Sequence, residues 1–200
     1  MKLYLIAFLL FLFTACHTKK NTPEPTPGVA VPEKDTEDTA ANFFPVTAFI
    51  KGEIAAIKNK GMAPKIKTKS GNFTDSSFLK ISDFQNAFED FISPVIDTAN
   101  LKGRFVETKF LDQTLNAFTL TCDPKNNKAD SFAYRHWDVY IDADNNHVTR
   151  VYLVKNIGSD RQLQLTWQSG KWCKIVTLKT TGDHTEIERE EKISWNYDKE

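Results

Sequence analysis

Cysteine, methionine, histidine and glycine are all scarce in this chain, with three, two, four and eight copies among 200 residues. No two cysteines stand in a CxxC spacing, which excludes a thioredoxin-like redox motif. No GxSxG, HExxH or phosphate-binding glycine loop occurs, so the sequence signatures of serine hydrolases, zinc peptidases and nucleotide-binding loops are missing. Neither sign of charge is in excess: 26 Lys and Arg face 26 Asp and Glu, without the basic field that nucleic-acid binding needs. Long apolar runs are absent too. The one continuous stretch, Leu3 to Phe13, is about eleven residues against the roughly 20 that a membrane-spanning helix requires. No internal repeat and no second folded domain is visible.

That short apolar stretch follows Lys2 and ends in Thr14-Ala15-Cys16, which gives a charged start, an apolar middle and a small-residue exit. Such an order reads as a secretory leader over residues 1–15. Phe13-Thr14-Ala15-Cys16 resembles the lipobox of bacterial lipoproteins, with Phe13 where that family usually carries Leu. The resemblance implies that the Cys16 thiol takes a diacylglyceryl group, that the leader is cut before it, and that the new amine is acylated. Two or three acyl chains, each buried methylene contributing about 0.8 kcal/mol, would hold the protein on a bilayer. His17 stands where lipoproteins retained in the inner membrane tend to have Asp. His17-Thr18-Lys19-Lys20 is also unlike the acidic tract that sends some lipoproteins to the cell surface. The resemblance therefore implies the cell envelope, with an outer-membrane anchor and a periplasm-facing domain.

Residues 16–41 contain Pro23, Pro25, Pro27 and Pro32 among Thr, Lys, Glu and Asp, with almost nothing to bury. This composition predicts an unfolded tether. A flexible chain of that length spans about 28 Å on average, and its prolines extend it further.

Residues 42–200 carry the pattern of one α+β domain. Phe43, Val46, Ile50, Ile54 and Ile57 recur at helical spacing, with Asn42 placed to cap, Pro45 in the first turn and Gly61 past the end. Lys65 to Lys69 and Phe73 to Lys80 suggest an extended pair around Ser70-Gly71-Asn72. Ser82, three residues before Gln85, has the spacing of a capping box. Phe84, Phe88, Phe91 and Ile92 then form a second stripe that stops at Pro94. From Arg104 onward the apolar period is two: Phe118, Leu120 and Cys122; Trp137, Val139 and Ile141; Leu163, Leu165 and Trp167; Ile193, Trp195 and Tyr197. Turn-rich loops at 142–146, 156–160, 169–170 and 182–183 separate these runs, so neighbouring strands are antiparallel. The expected architecture is two N-terminal helices packed on one face of an antiparallel β-meander of about six strands. This order of elements resembles cystatin-like and NTF2-like folds and several small periplasmic lipoprotein folds, which host unrelated functions.

Tyr134, His136, Asp138 and Tyr140 fall on one face of one strand and form the leading candidate ligand site. A His two residues from an Asp can serve as an acid–base pair, provided a third group and a pocket join them; a solvated outer face with aromatic rungs is the plainer account of the same row. Cys122 and Cys173 remain once Cys16 is lipidated. They either pair as a disulfide, which requires adjacent strands, or stand as buried thiols. Asp142 to Asn146 begins like a calcium loop, but His147 and Leu153 occupy the places of its Gly and Glu, which favours a hairpin turn. Glu186, Glu188 and Glu190 alternate as if on the outer face of a strand near the sheet edge. No metal site, cofactor site or catalytic residue is implied. The expectation is a non-enzymatic envelope lipoprotein attached to the membrane by its lipid, binding an envelope protein, a glycan or an apolar ligand. The alternative is a periplasmic hydrolase or ligand-processing enzyme using His136 and Asp138.

Overall fold

The structure, a computed structural model, describes residues 43–125 and 131–196, all within the compact unit Asp38–Glu200. The leader, Cys16, the tether and the capping residue Asn42 lie outside the described residues. In chain order the elements are α1 (Val46–Asn59), β1 (Lys65–Ser70), β2 (Phe73–Phe78), α2 (Phe84–Ile92), a one-turn α3 (Thr98–Leu101), β3 (Phe105–Asp112), β4 (Ala117–Pro124), β5 (Tyr134–Asp142), β6 (Val148–Asn156), β7 (Arg161–Gln168), β8 (Trp172–Thr181) and β9 (His184–Ser194). Among the described residues, no helix is long and apolar enough to cross a membrane.

All nine strands form one open antiparallel sheet in the order β2-β1-β9-β8-β7-β6-β5-β4-β3. The sheet is larger than the six strands expected and is not a plain meander. β3 to β9 run as a seven-stranded meander, and the early β1–β2 hairpin joins it beside β9. The last strand is therefore internal, paired with β8 on one side and β1 on the other. Its register with β1 opposes Ile66 to Ile193, so an apolar pair helps set a contact between chain segments far apart in sequence.

Both apolar helical stripes are buried. Val46, Ile50 and Ile57 of α1 and Phe84, Phe88 and Phe91 of α2 share one core with Trp137, Val139, Val151, Leu153, Leu163, Leu165, Trp167, Ile193 and Trp195 of the sheet. Trp167 sits between the layers, with ring centroids 5.5 Å from Phe88, 5.4 Å from Phe91 and 5.0 Å from Trp195. Tilted and edge-on rings at these separations add to the stabilisation from area burial. Glu53 of α1 ties the helix to the β7–β8 turn, accepting hydrogen bonds from Ser169 Oγ at 3.0 Å and the Gly170 amide at 2.9 Å. Gly170 has φ 69°, a left-handed turn conformation that a residue with a Cβ adopts only under strain.

Helix ends follow the sequence only partly. Pro45 precedes the first helical residue and its carbonyl accepts from the Phe49 amide, while Gly61 (φ 62°) lets the Met62 amide close on the Ile57 carbonyl. The expected capping box at Ser82 does not form. A 3-10 turn over Ile81–Asp83 precedes α2, Ser82 Oγ donates to Asp83 Oδ1, and Gln85 instead bonds Glu89 one turn on. Ser82 thus lies inside a turn, where its hydroxyl does not meet the first helical amides.

Phe88 is fully buried and touches both Trp167 and Trp195, so Phe88→Ala should lower unfolding stability by about 3–5 kcal/mol. Urea denaturation followed by tryptophan fluorescence measures this; a loss below about 1 kcal/mol would contradict the packing described.

Candidate functional site

His136, Asp138 and Tyr140 of β5 project from the sheet face opposite the helices, as their alternation with buried Trp137 and Val139 requires. Tyr134 does not join them. Tyr134 pairs with Lys155 whereas His136 pairs with Val154, so β5 spends two residues where β6 spends one. Arg135 is the extra residue of this bulge, which turns Tyr134 to the core side. There the phenol is buried and donates to the Asp90 carbonyl at 2.7 Å, with the Ser93 carbonyl at 3.2 Å, clasping the end of α2. Burial, with the nearby charges of Asp90 and Glu89, pushes its pKa up. Lys155 binds Asp90 at 2.7 Å alongside it. Tyr134 is thus a residue of the helix–sheet junction, a correction to its expected place in the site.

Strands on either side supply what β5 lacks. Asp123 of β4 and Asp138 flank the imidazole of His136, with Nδ1 2.8 Å from Asp123 Oδ1 and Nε2 3.1 Å from Asp138 Oδ2. Thr121 Oγ1 donates to the other Asp138 oxygen at 2.6 Å. Burial works to lower the His136 pKa, but hydrogen bonds to Asp123 and Asp138 and their charges outweigh it, and the net shift is upward. The ring thus bridges two carboxylates with both nitrogens engaged, an arrangement that favours its protonated form. An acid–base catalyst needs one nitrogen turned to substrate; here both nitrogens face carboxylates.

Beside the bridge lies a shallow depression of about 300 Å³ lined by Asp138, Tyr140, Arg150, Tyr152 and Thr166. The Arg150 guanidinium lies over the Tyr140 ring at 4.1 Å, a cation–π contact that stiffens both side chains. Burial first, and then the charge of Asp138, raise the Tyr140 and Tyr152 pKa values, so both phenols stay protonated. The lining thus presents phenol and hydroxyl hydrogen-bonding groups, one guanidinium, one carboxylate and aromatic edges, a set suited to holding a polar ligand. Arg150, Tyr152, Thr166 and Asp123 were not legible as site residues. Their one signal was the alternation of Arg150 and Tyr152 with apolar Val151 and Leu153, which marks a polar face without naming a site.

The remaining candidates take structural roles. Cys122 on β4 and Cys173 on β8 are buried free thiols separated by β5, β6 and β7, so the adjacent-strand condition for a disulfide is not met. Burial pushes both thiols well above their ordinary pKa. Asp142 Oδ1 accepts from the amides of Asp144 and Asn145, forming the β5–β6 hairpin turn. The three glutamates of β9 do not share one face. A register shift between Thr177 and Leu178 makes Glu188 the extra residue, gripped by Arg161 through two hydrogen bonds of 2.8 and 3.0 Å, while Glu190 binds Lys174 at 2.9 Å. β1 covers β9 only from Glu190 to Ser194, so Glu190 is internal to the sheet while Glu186 and Glu188 lie on the stretch that β1 leaves unpaired. Phe88 and Phe91 pack on Trp167 rather than lining a ligand cavity.

Compared with known proteins, the chain matches no family model, no curated protein and no solved structure.

Two outcomes test this geometry. A His136 pKa raised on folding means the bridge stabilises fully below the unfolded value near pH 6.5 and is lost as pH rises through the higher folded value. The stability advantage over His136→Gln should therefore be largest near pH 5 and shrink as pH rises into the alkaline range in urea titrations; a constant difference would show that folding leaves the pKa unshifted, and a difference that grows with pH would show that the fold holds the ring neutral. Separately, Cys122 and Cys173 should resist maleimide in the native protein and both react after unfolding, without prior reduction.

Proposed function

We propose that this chain is a non-enzymatic envelope lipoprotein, anchored through lipidated Cys16, whose uncovered sheet face binds an extended glycan. The leader pattern ending in Phe13-Thr14-Ala15-Cys16 supports the anchor, and the proline-bearing stretch behind it supports a tether that lets the domain search space near the membrane. Outer-membrane attachment facing the periplasm follows from His17 and the basic residues after it.

One observation carries the binding reading. The helices cover one face of the sheet, and the other face holds a depression whose aromatic and ionic groups are already arranged by one another: Arg150 on Tyr140, Asp138 between Thr121 and His136. Preorganised groups of this kind orient a ligand without large ordering cost. The hydroxyls and amides of a sugar chain match phenols, a threonine and a guanidinium, and tyrosine edges give its apolar ring faces contact. A hydrolase reading needs His136 free to exchange a proton with substrate, and its two carboxylate partners oppose that.

Metabolic labelling with a fatty-acid probe, followed by membrane fractionation, tests the anchor: the wild type should be labelled and membrane-bound, and Cys16→Ser should lose both. Saturation-transfer NMR of the purified full chain with envelope polysaccharide fractions tests the face. Transfer should be seen with the wild type and vanish in Thr166→Trp, which fills the depression; transfer that survives this substitution would place binding elsewhere.

A further inference from the structure

Charges in this chain balance overall, yet they are sorted on the uncovered face. Pairing across β1, β9 and β8 sets Lys67 opposite Lys192 and Lys192 opposite Lys174. Lys65 and Lys69 project from the same face of β1, two residues to either side of Lys67. One acid, Glu190, is interspersed, and it binds Lys174. Lys65, Lys67 and Lys69 are exposed and form no ion pair among the described residues. Like charges directly opposite one another across strands destabilise a sheet, so an anionic group laid over this row would relieve their repulsion.

The row also leads somewhere. Continuing across the sheet, Lys174 opposes Thr166, Thr166 opposes Tyr152, and Tyr152 opposes Asp138. Three lysines therefore run straight into the depression lined by Tyr152, Thr166, Arg150 and Tyr140. From Lys67 to Tyr152 there are four strand steps of about 4.8 Å, a track of about 19 Å. Trp172 lies beside the track with the Lys192 ammonium 5.3 Å from its ring, which holds that cation over the face.

We infer that the uncovered face binds a linear acidic polysaccharide laid across the strands, its anionic groups over Lys67, Lys192 and Lys174 and one end in the Tyr152–Arg150 depression. The inference rests on the glycan-binding reading and names the ligand class for it. A flat anionic bilayer fits less well: Arg150 and Tyr152 sit in a recess, and the exposed apolar side chains are scattered, with Phe73 and Phe78 on β2, Phe110 and Leu111 on β3 and Ile187 on β9, rather than gathered beside the lysines.

The test uses the purified full chain in neutral detergent and four probes: hexameric oligogalacturonate, neutral maltohexaose, polyglutamate, and phosphatidylglycerol vesicles. Oligogalacturonate should bind at least tenfold more tightly than maltohexaose, with an affinity that falls as salt rises. The double substitution Lys67→Gln with Lys192→Gln should lower that affinity about tenfold and flatten its salt dependence, with thermal stability close to the wild type's because the Lys174–Glu190 ion pair is kept. Equal affinity for the acidic and neutral oligosaccharides would overturn the acidic assignment and leave the glycan reading standing. Binding of neither sugar would overturn both. Polyglutamate binding as tightly as oligogalacturonate would show general polyanion attraction, and binding to the vesicles without binding to oligogalacturonate would show a membrane surface; either result overturns the inference.

Discussion

Trp167 is the contact through which the two layers of the domain meet. Its indole touches Phe88 and Phe91 of α2 and Trp195, which follows β9, and its Nε1 lies 3.5 Å from Glu53 of α1. Both long helices are thus committed to one side of the sheet by a single aromatic junction, and the Glu53 hydrogen bonds to Ser169 and Gly170 hold α1 in the same place. The consequence for function is on the other side. With the apolar stripes spent on one face, the opposite face carries the mostly polar residues of β4, β5 and β7.

Strand irregularities then decide which residues that face shows. The bulge at Arg135 sends Tyr134 inward to clasp α2 and leaves His136 and Asp138 outward. A second shift, between Tyr140 and Ile141, lets Val148 oppose Ile141 on the core side while Arg150 stays opposite Tyr140 on the outer side. Thr149, the extra residue there, satisfies its hydroxyl on the Tyr140 carbonyl. At β9 the displaced Glu188 pairs with Arg161, leaving Glu190 as the one acid among the lysines. Each bulge changes the side that a residue faces, and a one-residue change in a period of two is a complete reversal.

Electrostatics on the uncovered face divide it in two. Around β4 and β5 the charges are internally matched, His136 between Asp123 and Asp138, so that region is ordered but has little left to attract. Around β8, β9 and β1 cations oppose cations along a row. The depression at Tyr140, Arg150 and Tyr152 joins the two regions. On the proposed reading, a recess beside this row of cations would select a ligand by charge and then fix its position.

Local pattern alone determined a good deal here. Helical spacing in Phe84, Phe88 and Phe91, the two-residue period from Arg104 onward, the hairpin around Gly71, and the shared face of His136, Asp138 and Tyr140 are all short-range consequences of backbone geometry. What pattern did not contain was anything that depends on which segments become neighbours. The seating of β1 and β2 beside β9, the three strands between Cys122 and Cys173, the inward turn of Tyr134, and the meeting of Arg150, Tyr152 and Thr166 with Asp138 all arise from pairing across the sheet. Strand periodicity states that a residue faces one side or the other. Only the register, set by packing of the whole core and shifted by single extra residues, decides which side and beside whom.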